Sequence, residues 1–232
     1  MSSKWNYILE DIKLVSDTVL IELTKLMNKD CQAGKYTLME VRDKFAKTMD
    51  ILYIKDNNEY IHFMLLDIFP KHKSVYLHDV CVANLYRGQG IFKSALSFLK
   101  AHYKKKGIET FTLDASDSLK EKGLDQKARI AIFTKAGFHI NPKTDVWNEK
   151  GEFDTIPTKI KLESGETAEI KSVLKNNNSL RYSVKIAETV STIDGSEIKR
   201  CYGLNDEYIS CPMILNLGSK NGGRRKTRKH RA

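Results

Sequence analysis

A glycine-containing turn joins a predicted strand to a predicted helix. The turn reads Arg87-Gly88-Gln89-Gly90-Ile91-Phe92. The apolar, β-branched run at 75–82 before it is typical of a strand, and Ile91, Ala95 and Leu99 recur after it with the spacing of a helix face. Such a turn directs several backbone N–H groups to one point, beside the positive end of the helix dipole. The pattern therefore predicts a site for an anionic phosphate group, with a tight turn that binds nothing as the alternative.

Hydrophobic periodicity predicts the elements that position this turn. Strands are predicted at 5–12, 50–55, 59–69, 75–82, 110–115 and 138–141, and helices at 16–28, 37–49, 91–106 and 125–136. Ser16 is a predicted N-cap, and Thr37 with Glu40 forms a capping-box pattern. The turn residues at 56–58 predict a hairpin between the second and third strands. The element order is therefore β-α-α-β-β-β-α-β-α-β.

This order and the glycine turn resemble the GNAT superfamily of N-acetyltransferases. The string V-x-V-x(4)-R-G-x-G-I at 80–91 is similar to the acyl-CoA signature of that family, R/Q-x-x-G-x-G/A. Arg87 and Gly90 fit the signature, whereas Phe92 stands at the position of the last small residue. The resemblance implies an α/β (α+β) fold with a mixed, mostly antiparallel central sheet flanked by helices.

A second motif follows at the expected distance. The segment 132–138 resembles the last motif of the family, A-x-x-L-Y-x-K-x-G-F, in which Lys135, Gly137 and Phe138 fit. Arg129 replaces the usual small residue and Phe133 replaces the tyrosine. The resemblance covers about residues 5–141.

The resemblance implies that acetyl-CoA is the co-substrate. The backbone of the turn at 87–92 is expected to bind the pyrophosphate through charge-assisted hydrogen bonds. The main chain of Val80, Cys81 and Val82 is expected to contact the pantetheine arm and the thioester. Gln126 and Phe133, on the last predicted helix, are further expected cofactor contacts. No metal site is predicted.

The catalytic base implied by the resemblance lies on the central strand. Leu77-His78-Asp79-Val80 matches a family segment that often reads L-E-D-x, so His78 stands where a glutamate frequently acts as the base or anchors a water relay. An amine with a pKa of about 10.4 needs such help to lose its proton, and imidazole can provide it at neutral pH. Asp79 is the second candidate. An ordinary structural role is the alternative for both residues.

The resemblance does not supply a general acid at the expected position. Phe133 cannot donate the proton that the tyrosine of the family gives to the departing thiolate. A thiol with a pKa of about 8.5 is nevertheless a tolerable leaving group. Tyr86 or a water molecule could act in its place.

Composition limits the class of protein. The chain has 232 residues, of which 41% are apolar, and no run approaches the roughly 18 apolar residues of a membrane span. The four cysteines, Cys31, Cys81, Cys201 and Cys211, are scattered. This spacing favours a reducing compartment, the cytoplasm or nucleus, without a disulfide framework, and Cys81 is expected to be a buried free thiol.

Three regions are expected: a GNAT core at 1–141, an extension at 142–217 and a disordered basic tail at 218–232. The extension should complete the sheet with a strand at 208–217, in which Pro212 favours an edge or a bulge. A hairpin about Ser164-Gly165, or a helix from Thr167, is expected before it, and Asp194-Gly195 is a hairpin signal. The extension is expected to shape the acceptor site, with a small independent subdomain as the alternative.

The net charge of +10 comes mainly from the tail, since seven lysines and arginines lie between Lys220 and Arg231. Non-specific binding to nucleic acid or to an anionic surface is expected of such a segment, with a purely solubilising end as the alternative.

The sequence thus predicts an N-acetyltransferase that transfers an acetyl group from acetyl-CoA to a primary amine by direct attack. One alternative is a GNAT fold that binds acyl-CoA or protein with little or no turnover. Another is a nucleic-acid-associated protein that acts through its tail. The acceptor amine is not readable from the sequence.

Overall fold

The computed structural model describes residues 4–31, 36–44, 49–116, 126–147, 153–176, 179–201 and 210–218. Its helices are α1 (Asp17–Leu26), α2 (Leu38–Lys44), α3 (Ile91–Lys105) and α4 (Gln126–Lys135). The first five strands are β1 (Tyr7–Asp11), β2 (Met49–Asp56), β3 (Glu59–Phe69), β4 (Ser74–Val82) and β5 (Thr110–Ser116). The later strands are β6 (His139–Ile140), β7 (Lys143–Trp147), β8 (Phe153–Pro157), β9 (Lys159–Leu162), β10 (Thr167–Asn176), β11 (Ser179–Ile186), β12 (Thr189–Asp194), β13 (Ile198–Cys201) and β14 (Ser210–Asn216).

A central sheet of seven strands has the order β1-β2-β3-β4-β5-β14-β6. Neighbouring strands run antiparallel, except for the parallel pair of β4 and β5. Alternate residues of β3 enter two different cores: Phe63 packs with the residues of α1 and α2, and Met64 packs with those of α3. Helices therefore cover both faces of the sheet, which confirms the predicted fold class.

Local sequence signals position these elements as expected. The Ser16 hydroxyl accepts a hydrogen bond from the N–H of Val19, and the Glu40 carboxylate accepts one from the N–H of Thr37. Asn57 and Asn58 both have positive φ angles, of 46° and 70°, in the turn of the β2–β3 hairpin. The second predicted helix, however, is too long. Met49 is the first residue of β2, where it pairs with Asp67.

The extension forms a second sheet of the order β12-β11-β10-β9-β13 and a separate β7–β8 ribbon. The predicted hairpin about Ser164-Gly165 is confirmed, because β9 pairs with β10 across it, and the alternative helix is wrong. The hairpin predicted at Asp194-Gly195 is also wrong: β12 pairs with β11, whereas β13 pairs with β9. The buried face of this sheet, which includes Ile160 and Val184, joins the core beneath α3.

The chain returns to the central sheet through β14, as predicted from 208–217, of which 208–209 lie outside the described residues. β14 lies between β5 and β6 and pairs with β5 without a register shift, so the prediction of an edge or a bulge at Pro212 is wrong. Pro212 is tolerated because β6 pairs only with Met213 and Ile214, and Pro212 accepts a hydrogen bond from the N–H of Asn141 instead. The tail beyond Gly218 lies outside the described residues.

The cysteines form two disulfide bonds, Cys31–Cys81 and Cys201–Cys211, with Cα–Cα distances of 5.6 and 5.1 Å. The expectation of a free thiol at Cys81 and of no disulfide framework is therefore wrong. The Cys31–Cys81 bond attaches a π-helical turn after α1, Met27–Cys31, to β4. The Cys201–Cys211 bond attaches the end of β13 to β14.

Loss of the two disulfides should reduce stability unequally. They close loops with sequence separations of 50 and 10 residues. The chain-entropy estimate gives a loss in the free energy of unfolding of about 4 kcal/mol for Cys31→Ala and about 3 kcal/mol for Cys201→Ala. Urea denaturation measures both. Four alkylated thiols in the native protein, found by mass spectrometry without reductant, would contradict the pairing.

Candidate active site

The two central strands separate halfway along their length. β4 pairs with β5 only from Ser74 to Tyr76, opposite Thr110 to Thr112. Beyond this point β5 continues its pairing with β14, and β4 continues its pairing with β3. Among the described residues, the second half of β4, including Val80, Cys81 and Val82, therefore has no strand partner on its β5 side. A gap between two parallel strands exposes backbone groups that an extended ligand can pair with.

A β-bulge lies where the separation begins. Leu66 pairs with Leu77 and Leu65 pairs with Asp79, so His78 is the extra residue on β4. A bulge redirects side chains and is common beside active sites. The imidazole of His78 is exposed, with its Nε2 3.9 Å from the Asp67 Oδ2 and its ring against Tyr76 at a centroid distance of 4.7 Å.

Acidic groups surround His78. The Tyr76 hydroxyl donates a hydrogen bond of 2.9 Å to the Asp114 carboxylate on β5. Burial raises the pKa of Asp79, and the positive form of His78 partly offsets this rise. Burial likewise raises the pKa of Asp114, although water still reaches its side chain, which is the behaviour of a carboxylate that lines a recess. We call the group of Asp67, Tyr76, His78, Asp79 and Asp114 the acidic recess.

The predicted phosphate-binding turn lies at the other end of the same gap. Gly88 and Gly90 have φ angles of +78° and +77°, which L-residues adopt only with strain. A Cβ atom on either glycine would have no heavy atom within 4 Å, so the backbone is open to a ligand. Gly90 is the N-cap of α3, and no side chain caps that helix. The first N–H groups of a 15-residue helix are thus available to an anion.

Side chains of the turn bond to the protein. The Arg87 guanidinium donates to the carbonyl oxygen of Asp30 and, at 3.1 Å, to that of Val82. The Asp30 carboxylate accepts hydrogen bonds from the backbone N–H and side-chain amide of Asn84, at 3.2 and 2.9 Å. Gln89 donates to the carbonyl oxygen of Leu85. These contacts occupy the Arg87 and Gln89 side chains, so the backbone of the turn is the surface that is available to an anion.

His62 supports β4 from the neighbouring strand. It is fully buried, and burial lowers its pKa to about 4. The ring is therefore neutral at physiological pH, and its Nδ1–H can donate to the carbonyl oxygen of Cys81 at 2.5 Å. This bond fixes the backbone of Cys81 at the edge of the gap. His62 was not identified from the sequence, where a histidine within an apolar strand resembles a core residue.

Helix α4 contributes two of the predicted cofactor contacts. Gln126 is buried, with its Nε2 bonded to the carbonyl oxygen of Ala115 and its Oε1 to the N–H of Cys201. These bonds hold the start of α4 between β5 and the extension, and contact of Gln126 with a cofactor stays a prediction. Phe133 packs against Phe92 of α3 at a ring-centroid distance of 5.7 Å. Two of the three residues that depart from the family motifs, Phe92 and Phe133, therefore contact each other.

A cavity of about 530 Å³ lies on the α1 side of the turn. Its lining includes Glu22, Lys29, Tyr60 and Tyr86, and includes no residue of β5 or of the acidic recess. Because group transfer needs a groove for an extended ligand and a proton acceptor in one place, the β4–β5 gap, rather than this cavity, is the candidate active site.

The structure thus brings together the predicted turn, the Val80–Val82 segment, His78 and Asp79 along one gap. Sequence reasoning missed Tyr76, Asp114 and Asp30. Thr110, Thr112 and Asp114 alternate along β5, which indicates that they share one face of that strand. The sequence does not indicate that Asp114 lies beside Tyr76 of β4, because pairing between distant segments brings these two residues together.

The sequence profile of the Acetyltransferase (GNAT) family matches residues 20–138, about half of the chain. No curated protein matches the sequence significantly. Among solved structures, the ribosomal-protein-S18-alanine N-acetyltransferase from Escherichia coli is 13% identical with a TM-score of 0.50, covering 93% of this chain and 98% of that one.

Two further solved structures are similar. A putative GNAT acetyltransferase from Desulfovibrio desulfuricans is 9% identical with a TM-score of 0.53, covering 92% of this chain and 99% of that one. An aminoglycoside 6'-N-acetyltransferase complexed with coenzyme A is 13% identical with a TM-score of 0.50, covering 92% and 98%. At these identities the likeness shows the shared fold.

Asp79→Asn should stabilise the protein at neutral pH. Folding raises the pKa of the Asp79 carboxyl group, so the folded state binds the proton more tightly than the unfolded state does. The stability that the protonated group contributes is fully present below the unfolded pKa. It is lost as the pH rises through the folded pKa, because burial penalises the charged form. The amide carries no charge at any pH. The gain in the free energy of unfolding should therefore shrink as the pH falls below the raised pKa.

Urea denaturation from pH 3 to pH 8 measures this difference. Asp43→Asn is the matched control, because Asp43 is exposed and forms a surface ion pair with Arg42. An Asp79→Asn variant that is less stable than the wild type across the whole range would show that Asp79 has a structural rather than a chemical role.

Proposed function

Because this chain belongs to the GNAT family of acetyltransferases, we propose that it transfers an acetyl group from acetyl-CoA to a primary amine by direct attack. The observation that carries the proposal is the position of the β4–β5 gap. It has an uncapped helix N-terminus at one end and a histidine in an acidic recess along its edge.

The residues present fit acetyl-CoA. The backbone N–H groups of 87–92 would hold the pyrophosphate, where the absence of side chains at Gly88 and Gly90 leaves room for it. The unpaired side of Val80, Cys81 and Val82 would pair with the pantetheine arm, as one strand pairs with another. When bound, acetyl-CoA supplies an activated acyl group as a thioester. The bonds from Arg87 and His62 hold the backbone of this segment in place beforehand.

The acidic recess suits a cationic amine. Carboxylates of Asp67, Asp79 and Asp114 give it a negative potential, which concentrates ammonium groups near the gap. The amine must lose a proton before it can attack. His78 lies at the rim of the recess and can accept that proton directly or through water, and Asp79, with its raised pKa, is the second acceptor.

An acyl-CoA-binding protein without turnover is the second candidate function, and the Phe92–Phe133 contact favours it. The rings close the space between the start of α3 and α4 with apolar atoms, and neither side chain can donate a proton. In that case the gap would hold the cofactor, but no group would assist the departing thiolate.

Calorimetry with acetyl-CoA, together with a CoA-release assay over a panel of amines, tests the proposal. Gly90→Asp should weaken acetyl-CoA binding by about 100-fold or more, because a carboxylate would lie among the phosphate-binding N–H groups. Gly107→Asp is the matched control: it carries the same charge at φ +82°, at the opposite end of α3, and should bind normally.

No heat from wild-type protein with either acetyl-CoA or CoA would refute the assignment. An equal loss in both glycine variants would also refute it, because the effect would then be one of stability. Binding without CoA release for any amine would select the second candidate function.

His78→Gln should lower kcat by about 100-fold to 10,000-fold, the usual contribution of general base catalysis, and leave the KM for acetyl-CoA unchanged. The remaining activity should rise steeply with pH, as more of the free amine loses its proton in solution. His72→Gln, at an exposed position after β3, is the control. An unchanged kcat and pH profile in His78→Gln would exclude this histidine as the base.

A further inference from the structure

The Cys31–Cys81 disulfide lies beside the proposed cofactor site. Cys81 belongs to the half of β4 that borders the gap, and Cys31 is the last residue of the π-helical turn. The Cys31 Sγ also lies 3.8 Å from the carbonyl oxygen of Val82. The bond therefore joins the π-helical turn to the strand segment that is proposed to pair with the pantetheine arm.

The same π-helical turn supports the glycine turn. The carbonyl oxygen of Asp30 accepts a hydrogen bond from the Arg87 guanidinium, and the Asp30 carboxylate accepts two hydrogen bonds from Asn84. Asp30 directly precedes Cys31 in the chain. The disulfide therefore holds in place the residue that makes these contacts.

The position of the π-helical turn depends on this covalent bond. Segments of π-helix are rare and occur mostly as single turns, often at functional sites. Of the five residues at Met27–Cys31, only Met27 is buried, so packing contributes little to the position of the turn. The hydrogen bonds of Asp30 lie at exposed positions. Without the disulfide, we therefore expect the turn to move away from the β4–α3 connection for part of the time.

The two disulfides differ in their access to solvent. Cys31 is half-buried, whereas the other three cysteines are fully buried. A thiolate must reach a sulfur atom in order to open a disulfide, so the rate of exchange depends on access. Cys31–Cys81 is therefore the bond that a small reductant opens first in the folded protein.

We propose that the Cys31–Cys81 bond is a redox switch that controls the affinity for acetyl-CoA. The switch rests on the proposed function, because it acts on the site assigned to that cofactor. A dithiol opens the bond when one of its thiolates attacks the Cys31 Sγ and releases the Cys81 thiolate, which takes up a proton. The second thiolate of the reductant then releases Cys31 and closes a cyclic disulfide, so two electrons and two protons pass from the dithiol to the protein.

Reduction acts on the glycine turn through Asp30. When the π-helical turn is released, the N–H groups of the glycine turn adopt the phosphate-binding arrangement for only a fraction of the time. The apparent affinity falls in proportion to that fraction, so a fraction of about one tenth gives about a tenfold loss. The central sheet stays folded, because β4 keeps its pairing with β3.

Calorimetry of the full chain with acetyl-CoA, before and after treatment with dithiothreitol, tests the proposal. Reduction should weaken binding about tenfold. Alkylation of the native, reduced protein should modify two thiols, Cys31 and Cys81, as measured by mass spectrometry. The variant Cys31→Ala, Cys81→Ala should bind as weakly as the reduced wild type, with or without reductant. The matched control Cys201→Ala, Cys211→Ala lacks the other disulfide and should respond to the reductant as the wild type does.

Asp30→Ala tests the connection between the disulfide and the glycine turn while both disulfides are intact. It removes the carboxylate that bonds to Asn84, so the oxidised variant should bind acetyl-CoA more weakly and respond less to reduction than the wild type. Amide hydrogen exchange at 84–90 should become faster when the wild type is reduced, and should already be fast in this variant. Asp43→Ala, which removes an exposed carboxylate from α2, is the control and should behave as the wild type.

Equal affinities of the oxidised and reduced wild type would overturn the switch and leave the proposed function standing. A bond that dithiothreitol does not open in the native protein would also overturn it. Global unfolding on reduction, seen as loss of the far-UV circular dichroism signal, would do the same, because the bond would then hold the fold rather than the turn. Binding in neither state would refute the proposed function and the switch together.

Discussion

The proposed active site depends on a parallel strand pair that ends early. β4 and β5 share only three paired residues, and each strand then keeps its other neighbour. The strands can separate at a small energetic cost because β3 and β14 still satisfy one edge of each. The bulge at His78 lies where the separation begins, and the imidazole lies beside Asp67 of β3 and Tyr76 of β4. The proposed cofactor cleft and the proposed proton acceptor thus adjoin the same irregularity.

A second constraint holds the phosphate-binding turn against this cleft. The π-helical turn at Met27–Cys31 is attached to the β4–α3 connection by the Asp30–Asn84 and Arg87–Asp30 hydrogen bonds and to β4 by the Cys31–Cys81 bond. Gly88 and Gly90 contribute no side chain that could fix the turn. The Arg87 and Gln89 side chains and the contacts from the π-helical turn therefore hold its N–H groups in position, which lowers the reorganisation needed when an anion binds.

The sequence predicts elements well where a local signal suffices. The caps at Ser16 and Thr37, the Asn57-Asn58 turn and the glycine turn are all local, and all were predicted correctly. Met49 was assigned to a helix because it continues the apolar spacing of the helix before it, but its pairing with Asp67 places it in a strand. The Tyr76–Asp114 bond joins residues 38 positions apart, and the Cys31–Cys81 bond joins residues 50 positions apart. Such contacts follow from strand order, which no short segment encodes.

Two of the three departures from the family motifs, Phe92 and Phe133, are best understood as one change. The ring of Phe92 is an apolar neighbour of position 133 that offers a tyrosine hydroxyl no hydrogen-bond partner, whereas two phenylalanines pack edge to face at 5.7 Å. The exchange removes an acid that is worth about 10²–10⁴-fold in rate. Positioning an amine against a held thioester can supply about 7–11 kcal/mol, and a thiolate leaves without much help. The proposed acetyl transfer therefore depends far more on the β4–β5 gap and the turn at its end than on the missing hydroxyl, and the structure has both of these features.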